Sequence, residues 1–342
     1  MPEHSPSLHD RLPATCPSLR AARILGAAFA CALLLAATSH DRDEYVRPAA
    51  VAGAFYPDDP KVLRHAVEQF LEKASPQVPE NLKTLRPRAL IVPHAGYEYS
   101  GQTAAYAYKL LQGKPKPARI VVIGPSHRVY VKGVGVLGPY THYETPLGRI
   151  KMDADACNQL LKSERFVSRA VAHDKEHDLE VQLPFVQVLW PEPPPIVPII
   201  VGELPGNDLK GFAKALAAVL DDDTLIIASS DFTHYGARFD FAPFGETPGK
   251  ELGEKIQKLD MGAVEFVDKL DGPGFLDYCD RTGATICGRV PIAVLLEVLA
   301  GMKGVAGARL HYASSADVVG DGADRVSYYA HAFYVVPPVK NP

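Results

Sequence analysis

The stretch Ala89-Leu90-Ile91-Val92-Pro93-His94-Ala95-Gly96-Tyr97 holds the pattern that decides the fold: an aliphatic run that breaks into a turn carrying a histidine. The pattern recurs along the chain. Ile120-Val121-Val122-Ile123 leads into Gly124-Pro125-Ser126-His127, and Leu225-Ile226-Ile227-Ala228 leads into Ser229-Ser230-Asp231-Phe232-Thr233-His234. A further run over 196–201 ends at Gly202-Glu203. Nearly continuous Val/Ile/Leu runs of this length read as strands covered on both faces, as in a largely parallel sheet. In open α/β sheets the ligand crevice lies just beyond the carboxyl ends of such strands. The histidines stand there, so the pattern points to a metal or catalytic site.

Helical periodicity fills the intervals. Residues 61–73 place Leu63, Val67, Phe70 and Leu71 on one face, and helices are also expected over 101–111, 153–162, 179–189, 209–220, 252–270 and 291–299. Segments 131–137, 308–313 and 325–336 read as further strands, and 140–149 as a loop. Strands alternating with helices from residue 88 onward predict an α/β fold, a three-layer α/β/α sandwich around a mostly parallel or mixed sheet.

Composition bounds the partners. The chain has 342 residues, 47% hydrophobic and 22% charged, with formal charge −4. That is ordinary globular composition, and with no basic stripe it argues against a nucleic-acid partner. Residues 1–40 read as a signal-like leader or a start-site extension, and 41–342 as one α/β domain. In the leader, Arg11, Arg20 and Arg23 precede an apolar stretch over 24–37, followed by small residues. The stretch is shorter than the ~20 apolar residues of a membrane span, so no stable span is expected. A genuine signal would make the protein periplasmic or secreted. Outside the leader the cysteines are Cys157, Cys279 and Cys287, which do not form a disulfide framework.

His94 and His127 occupy equivalent positions after two strands, and neutral imidazole is a common ligand of zinc, copper and iron. The competing role is that each caps a turn. Asp231 and His234 follow a third strand; a carboxylate near an imidazole suits a general base, while Asp231 as a helix N-cap is the alternative. Cys287, in Thr285-Ile286-Cys287-Gly288-Arg289, stands where Pro291 can start a helix. A thiol there is expected to have a lowered pKa, making it a ligand or nucleophile, unless it is a small buried hydrophobe. The ionisable run His173-Asp174-Lys175-Glu176-His177-Asp178-Leu179-Glu180 puts His177 and Glu180 on one helical face. It lacks zincin spacing and reads as solvated charge before an amphipathic helix. There is no Gly-rich phosphate loop, no G-x-S-x-G elbow and no Cys-x-x-Cys pair.

Taken in order, these pieces resemble the Memo family, whose bacterial and archaeal members are also called AmmeMemoRadiSam system protein B. The matching stretches include Ala52-Gly53-Ala54-Phe55-Tyr56-Pro57, the His94 and His127 turns and Tyr143-Glu144-Thr145-Pro146-Leu147-Gly148. They continue through His177-Asp178-Leu179-Glu180-Val181-Gln182-Leu183-Pro184-Phe185, the Asp231–His234 cluster and Thr285-Ile286-Cys287-Gly288-Arg289. The family is similar in fold to the catalytic subunit of class III extradiol dioxygenases, in which two histidines and a carboxylate hold iron. The resemblance implies a metal set of His94, His127 and Cys287, with Asp231 and His234 as catalytic residues in the same pocket. It implies iron or copper, with zinc as an alternative, and redox chemistry alongside radical-SAM and Amme partner proteins in the cytoplasm. Thiolate ligation departs from ordinary ring-cleavage sites. The rival functions are a non-enzymatic metal- or phosphopeptide-binding protein using the same crevice and a zinc hydrolase with His234 as base.

Overall fold

The aliphatic runs form adjacent parallel strands at the centre of one sheet. The structure, a computed structural model, describes residues 44–205, 208–320 and 322–338, and the expected leader over 1–40 lies outside them. In chain order the strands are β1 (Val46–Arg47), β2 (Ala89–Val92), β3 (Arg119–Gly124), β4 (Gly135–Leu137), β5 (His142–Thr145) and β6 (Gly148–Lys151). They continue with β7 (Phe166–Ser168), β8 (Ile196–Val201), β9 (Thr224–Ser229), β10 (His234–Tyr235), β11 (Val305–Ser314) and β12 (Arg325–Val335). The main sheet runs β10-β12-β2-β9-β3-β8-β4-β7, with β11 on the outer side of β12. Strands β2, β9, β3 and β8 are mutually parallel, whereas β12 and β4 flank them antiparallel, so the sheet is mixed.

Handedness explains the layers. The chain moves from β2 to β3 in one direction along the sheet through helix Tyr97–Lys109, and from β8 back to β9 through helix Leu209–Leu216. Right-handed crossovers in opposite directions place their helices on opposite faces. The packing agrees: Pro60–Lys73, Tyr97–Lys109 and Leu183–Leu189 associate with one another, while Leu209–Leu216 and Gly272–Thr282 pack on Arg289–Ala300. Leu90, Ile91, Val121, Val122, Ile226 and Ile227 between these layers are fully buried, which is why the runs carry no polar alternation.

The direction reverses at the strand neighbourhood β2–β9–β3, the arrangement that leaves a crevice beyond the carboxyl ends. Loops bearing His94, His127 and Asp231 leave the sheet there. The expected loop over 140–149 is instead hairpin β5–β6, its turn at Pro146-Leu147, joined by β1 into a small second sheet. Helix Gly272–Thr282 was not expected; Asp271 caps it by accepting from the Gly274 N–H at 2.8 Å. No described helix is long and apolar enough to cross a membrane.

Candidate metal centre

Three imidazoles meet beyond the ends of β2 and β3. His94, His127 and His177 each offer one ring nitrogen, all within 4.8 Å of one another. The His94 ring stands edge-on to the other two, with centroids 5.1 Å from His127 and 5.4 Å from His177. His127 and His177 stack at 4.7 Å.

Hydrogen bonds fix which nitrogen of each ring is bare. The Ser229 hydroxyl donates its one hydrogen to the Asp178 carbonyl at 2.7 Å and accepts from Gln182 Nε2 at 2.9 Å. It therefore faces His94 Nδ1, 3.0 Å away, as an acceptor. The proton sits on Nδ1, and Nε2 keeps its lone pair. His127 repeats the device with a carboxylate: Glu176 Oε1 accepts from Nδ1 at 2.8 Å and Oε2 from the His127 backbone N–H at 2.7 Å. Burial favours the neutral form of Glu176, but hydrogen bonds from the His127 ring and backbone, with the His177 ring close by, outweigh it and hold the carboxyl far below its ordinary range. A carboxylate behind an imidazole orients it and strengthens it as a ligand. Burial, then the neighbouring His127 and His177, keeps His94 neutral well below its usual pKa, the protonation state that metal binding needs. His177 Nδ1 lies 3.2 Å from Glu176 Oε1 yet is buried without a hydrogen bond, an orphan beside two bare imidazole nitrogens.

Cys287 arrives from the turn before helix Arg289–Ala300, 193 residues after His94, with Sγ 3.1 Å from His94 Nε2. It stands outside the mutual three-histidine set. Its expected low pKa is not what the surroundings produce: burial, and then the Asp231 charge, push the thiol well above its ordinary value. The turn before the helix sets Cys287 in an enclosed place, and desolvation outweighs the helix terminus. Gly288 sits against Ser230, whose Oγ accepts the Gly288 N–H at 2.9 Å, and a Cβ there would lie 2.4 Å from Ser230 Cβ. Glycine is thus what lets this turn approach β9.

Asp231 caps the His94 turn rather than orienting an imidazole. Its Oδ1 accepts the N–H groups of His94 and Ala95 at 2.8 and 3.3 Å, and burial raises its pKa. The ring of His234 is oriented by carbonyls: Nδ1 lies 3.1 Å from both Phe232 O and Thr285 O. Only a protonated Nδ1 satisfies two carbonyls, which leaves Nε2 as the proton acceptor. His177, Asp231 and His234 line a cleft of about 480 Å³, walled in part by Phe55, Tyr99 and Phe239.

The ionisable run 173–180 is solvated only at Asp174 and Lys175. His173, Glu176, Asp178 and Glu180 are all buried. Arg47, buried with Glu180, forms an ion pair with it and donates to the carbonyls of His173 and Glu176. Glu180 also accepts the Ala50 and Val51 N–H groups at 2.8 and 3.0 Å and the Tyr56 hydroxyl. The segment before Pro57 is thus a clamp on the loop that carries Glu176 and His177. The signal that could have revealed it is Arg47 at the edge of an apolar stretch, since a buried charge requires a buried partner.

A family model described as Memo-like protein matches residues 47–332. The chain belongs to the Memo family. The protein memo-1 homolog of Caenorhabditis elegans is 33% identical over 304 residues, covering 86% of this chain and 84% of that protein. A MEMO1 family protein of Methanopyrus kandleri is 33% identical over 294 residues, covering 84% of this chain and 98% of its own. The crystal structure of an uncharacterized Escherichia coli K12 protein aligns with a TM-score of 0.45 at 15% identity, covering 72% of this chain and 99% of that one. Within this Memo-family chain, the family match spans each residue of the cluster from Arg47 to Cys287.

Proposed function

We propose that this chain is a mononuclear metal protein in which His94, His127 and Cys287 are ligands of iron or copper. It would act on a small molecule in the cleft, in the cytoplasm, together with radical-SAM and Amme proteins. The observation that carries the reading is the pair of imidazoles held with Nδ1 protonated by Ser229 and Glu176, with a thiol 3.1 Å from His94 Nε2. Two nitrogens and a soft sulfur suit iron or copper over magnesium or calcium. A metal held by three protein ligands keeps open positions and supplies redox or Lewis-acid chemistry there, as in extradiol dioxygenases.

The chain's own groups complete the site. His234 presents Nε2 in the cleft and takes or returns a proton at that atom. Asp231 holds the His94 turn in place through the His94 and Ala95 N–H groups. Phe55 and Phe239 supply apolar parts of the cleft wall.

A second reading has its own observation. The three-histidine set with His177 suits zinc with water in the fourth position, with His234 as base. Cys287→Ser separates the two. On the first reading it abolishes iron or copper binding with far-UV circular dichroism unchanged, while Cys157→Ser and Cys279→Ser keep the metal. On the second, His177→Ala loses the metal and Cys287→Ser retains it. Equal loss from all three cysteine variants would mean a folding defect and remove Cys287 from the ligand set.

A further inference from the structure

Cys287 borders a different space from the histidines. It lines two cavities of about 470 and 450 Å³ that share Asp280, Cys287 and Arg289. None of His94, His127, His177 or His234 lines either cavity, and Cys287 is absent from the walls of the His177/Asp231/His234 cleft. The larger one also carries Glu203, Leu204 and Leu276. Its carboxylates stand outward, the side chains of Glu203 and Asp280 being 61% and 66% exposed. Residue Cys287 is thus a partition: its thiol touches His94 Nε2 at 3.1 Å, and the residue forms part of the wall of a second opening.

Resting on the metal reading above, we propose that this second opening is the entry and exit route for the metal ion, separate from the cleft that takes substrate. Arg289 is paired with Asp280, and Glu203 faces Lys132 at 4.0 Å, so the exposed carboxylates of the mouth draw a cation weakly and do not hold it. Cys287 is the soft donor common to the walls of both cavities. Capture there breaks the S–H bond and forms a sulfur–metal bond; the proton leaves to water in the same cavity, and no electron is transferred. Handover to His94 follows across the 3.1 Å contact. One consequence is that metal exchange does not require an empty substrate cleft.

The test compares obstruction at the two openings. Leu276→Trp and Leu204→Trp narrow the thiol side; Tyr99→Trp narrows the histidine cleft. Two rates are read on the full chain: uptake of cuprous ion supplied as its acetonitrile complex, and modification of Cys287 by an organomercurial, located by peptide mass spectrometry. The proposal expects both thiol-side variants to slow both rates by about tenfold, the effect of a small added barrier, with final metal content unchanged. Tyr99→Trp should leave both rates alone. Glu203→Ala, a change at an exposed side chain, should slow uptake of the cation without slowing thiol modification when the organomercurial is neutral methylmercury chloride. Uptake slowed by Tyr99→Trp and untouched by Leu276→Trp overturns the route. If no variant, nor the parent protein, takes up metal, the metal reading fails instead, and the mercurial rates still report whether this opening reaches the thiol.

Discussion

Replacing Glu176 with glutamine changes one atom and should weaken metal binding sharply. The carboxylate accepts from three donors: the His127 N–H at 2.7 Å, His127 Nδ1 at 2.8 Å and the His177 N–H at 3.0 Å. A glutamine amide has only one acceptor oxygen. If that oxygen keeps Nδ1 and the His177 N–H, the amide NH₂ points at the His127 N–H and two donors oppose each other. Leaving one such buried group without an acceptor costs about 1–3 kcal/mol of folding stability. The loss for the metal is separate, because the ring also loses the negative charge that made its Nε2 a stronger donor. Removing an outer partner of this kind lowers metal affinity roughly 10–100-fold, or about 1.4–2.7 kcal/mol. Competition against a chromophoric chelator gives the affinity, and urea unfolding of the metal-free protein gives the stability. Affinity within a factor of about two of the parent, with stability reduced as stated, would refute the reasoning: Glu176 would then shape the loop and do nothing for the ligand.

Other consequences can be read the same way. His173 donates from Nε2 to the Val136 carbonyl at 3.0 Å, and burial pushes its pKa down to about 4. Unfolded, it titrates near ~6.5, so stability present above that pH is lost as pH falls towards the folded value, about 3 kcal/mol in all; His173→Gln should flatten that part of the stability–pH curve by about one proton. Glu180→Gln leaves the buried Arg47 charge without its counterion. It should cost about 3–5 kcal/mol, seen as a lower denaturant midpoint; no change would mean that the 46–56 clamp contributes nothing. His234→Ala should retain stoichiometric metal, yet lower any turnover by roughly 10²–10⁴-fold in oxygen-uptake assays. Lost metal would make His234 a ligand.

What the sequence reveals here follows from how each feature is encoded. Strands covered on both faces must be aliphatic throughout, so 89–92, 120–123, 196–201 and 225–228 stand out, and the turn that follows each is where the crevice residues fall. The convergence of His94 with His127 and Cys287's approach to His94 were legible from strand-end position and from the family resemblance. The role of run 173–180 was not, because a charged run before a helix has the same composition whether water or a buried arginine answers it. Only the long-range Arg47–Glu180 contact, across 133 residues, distinguishes the cases. The thiol of Cys287 fails for a related reason: a helix start is visible in sequence, but the depth of the surrounding cavity wall is not. Hairpin β5–β6 was hidden because Pro146 and Gly148 signal a turn without saying that strands flank it.

The most direct measurement is X-ray absorption at the metal edge on protein purified without added metal or affinity tag. The account predicts about one iron or copper per chain, with nitrogen or oxygen scatterers near ~2.0–2.1 Å and one sulfur near ~2.3 Å that disappears in Cys287→Ser. A shell of nitrogen and oxygen alone, unchanged by Cys287→Ser, would contradict it.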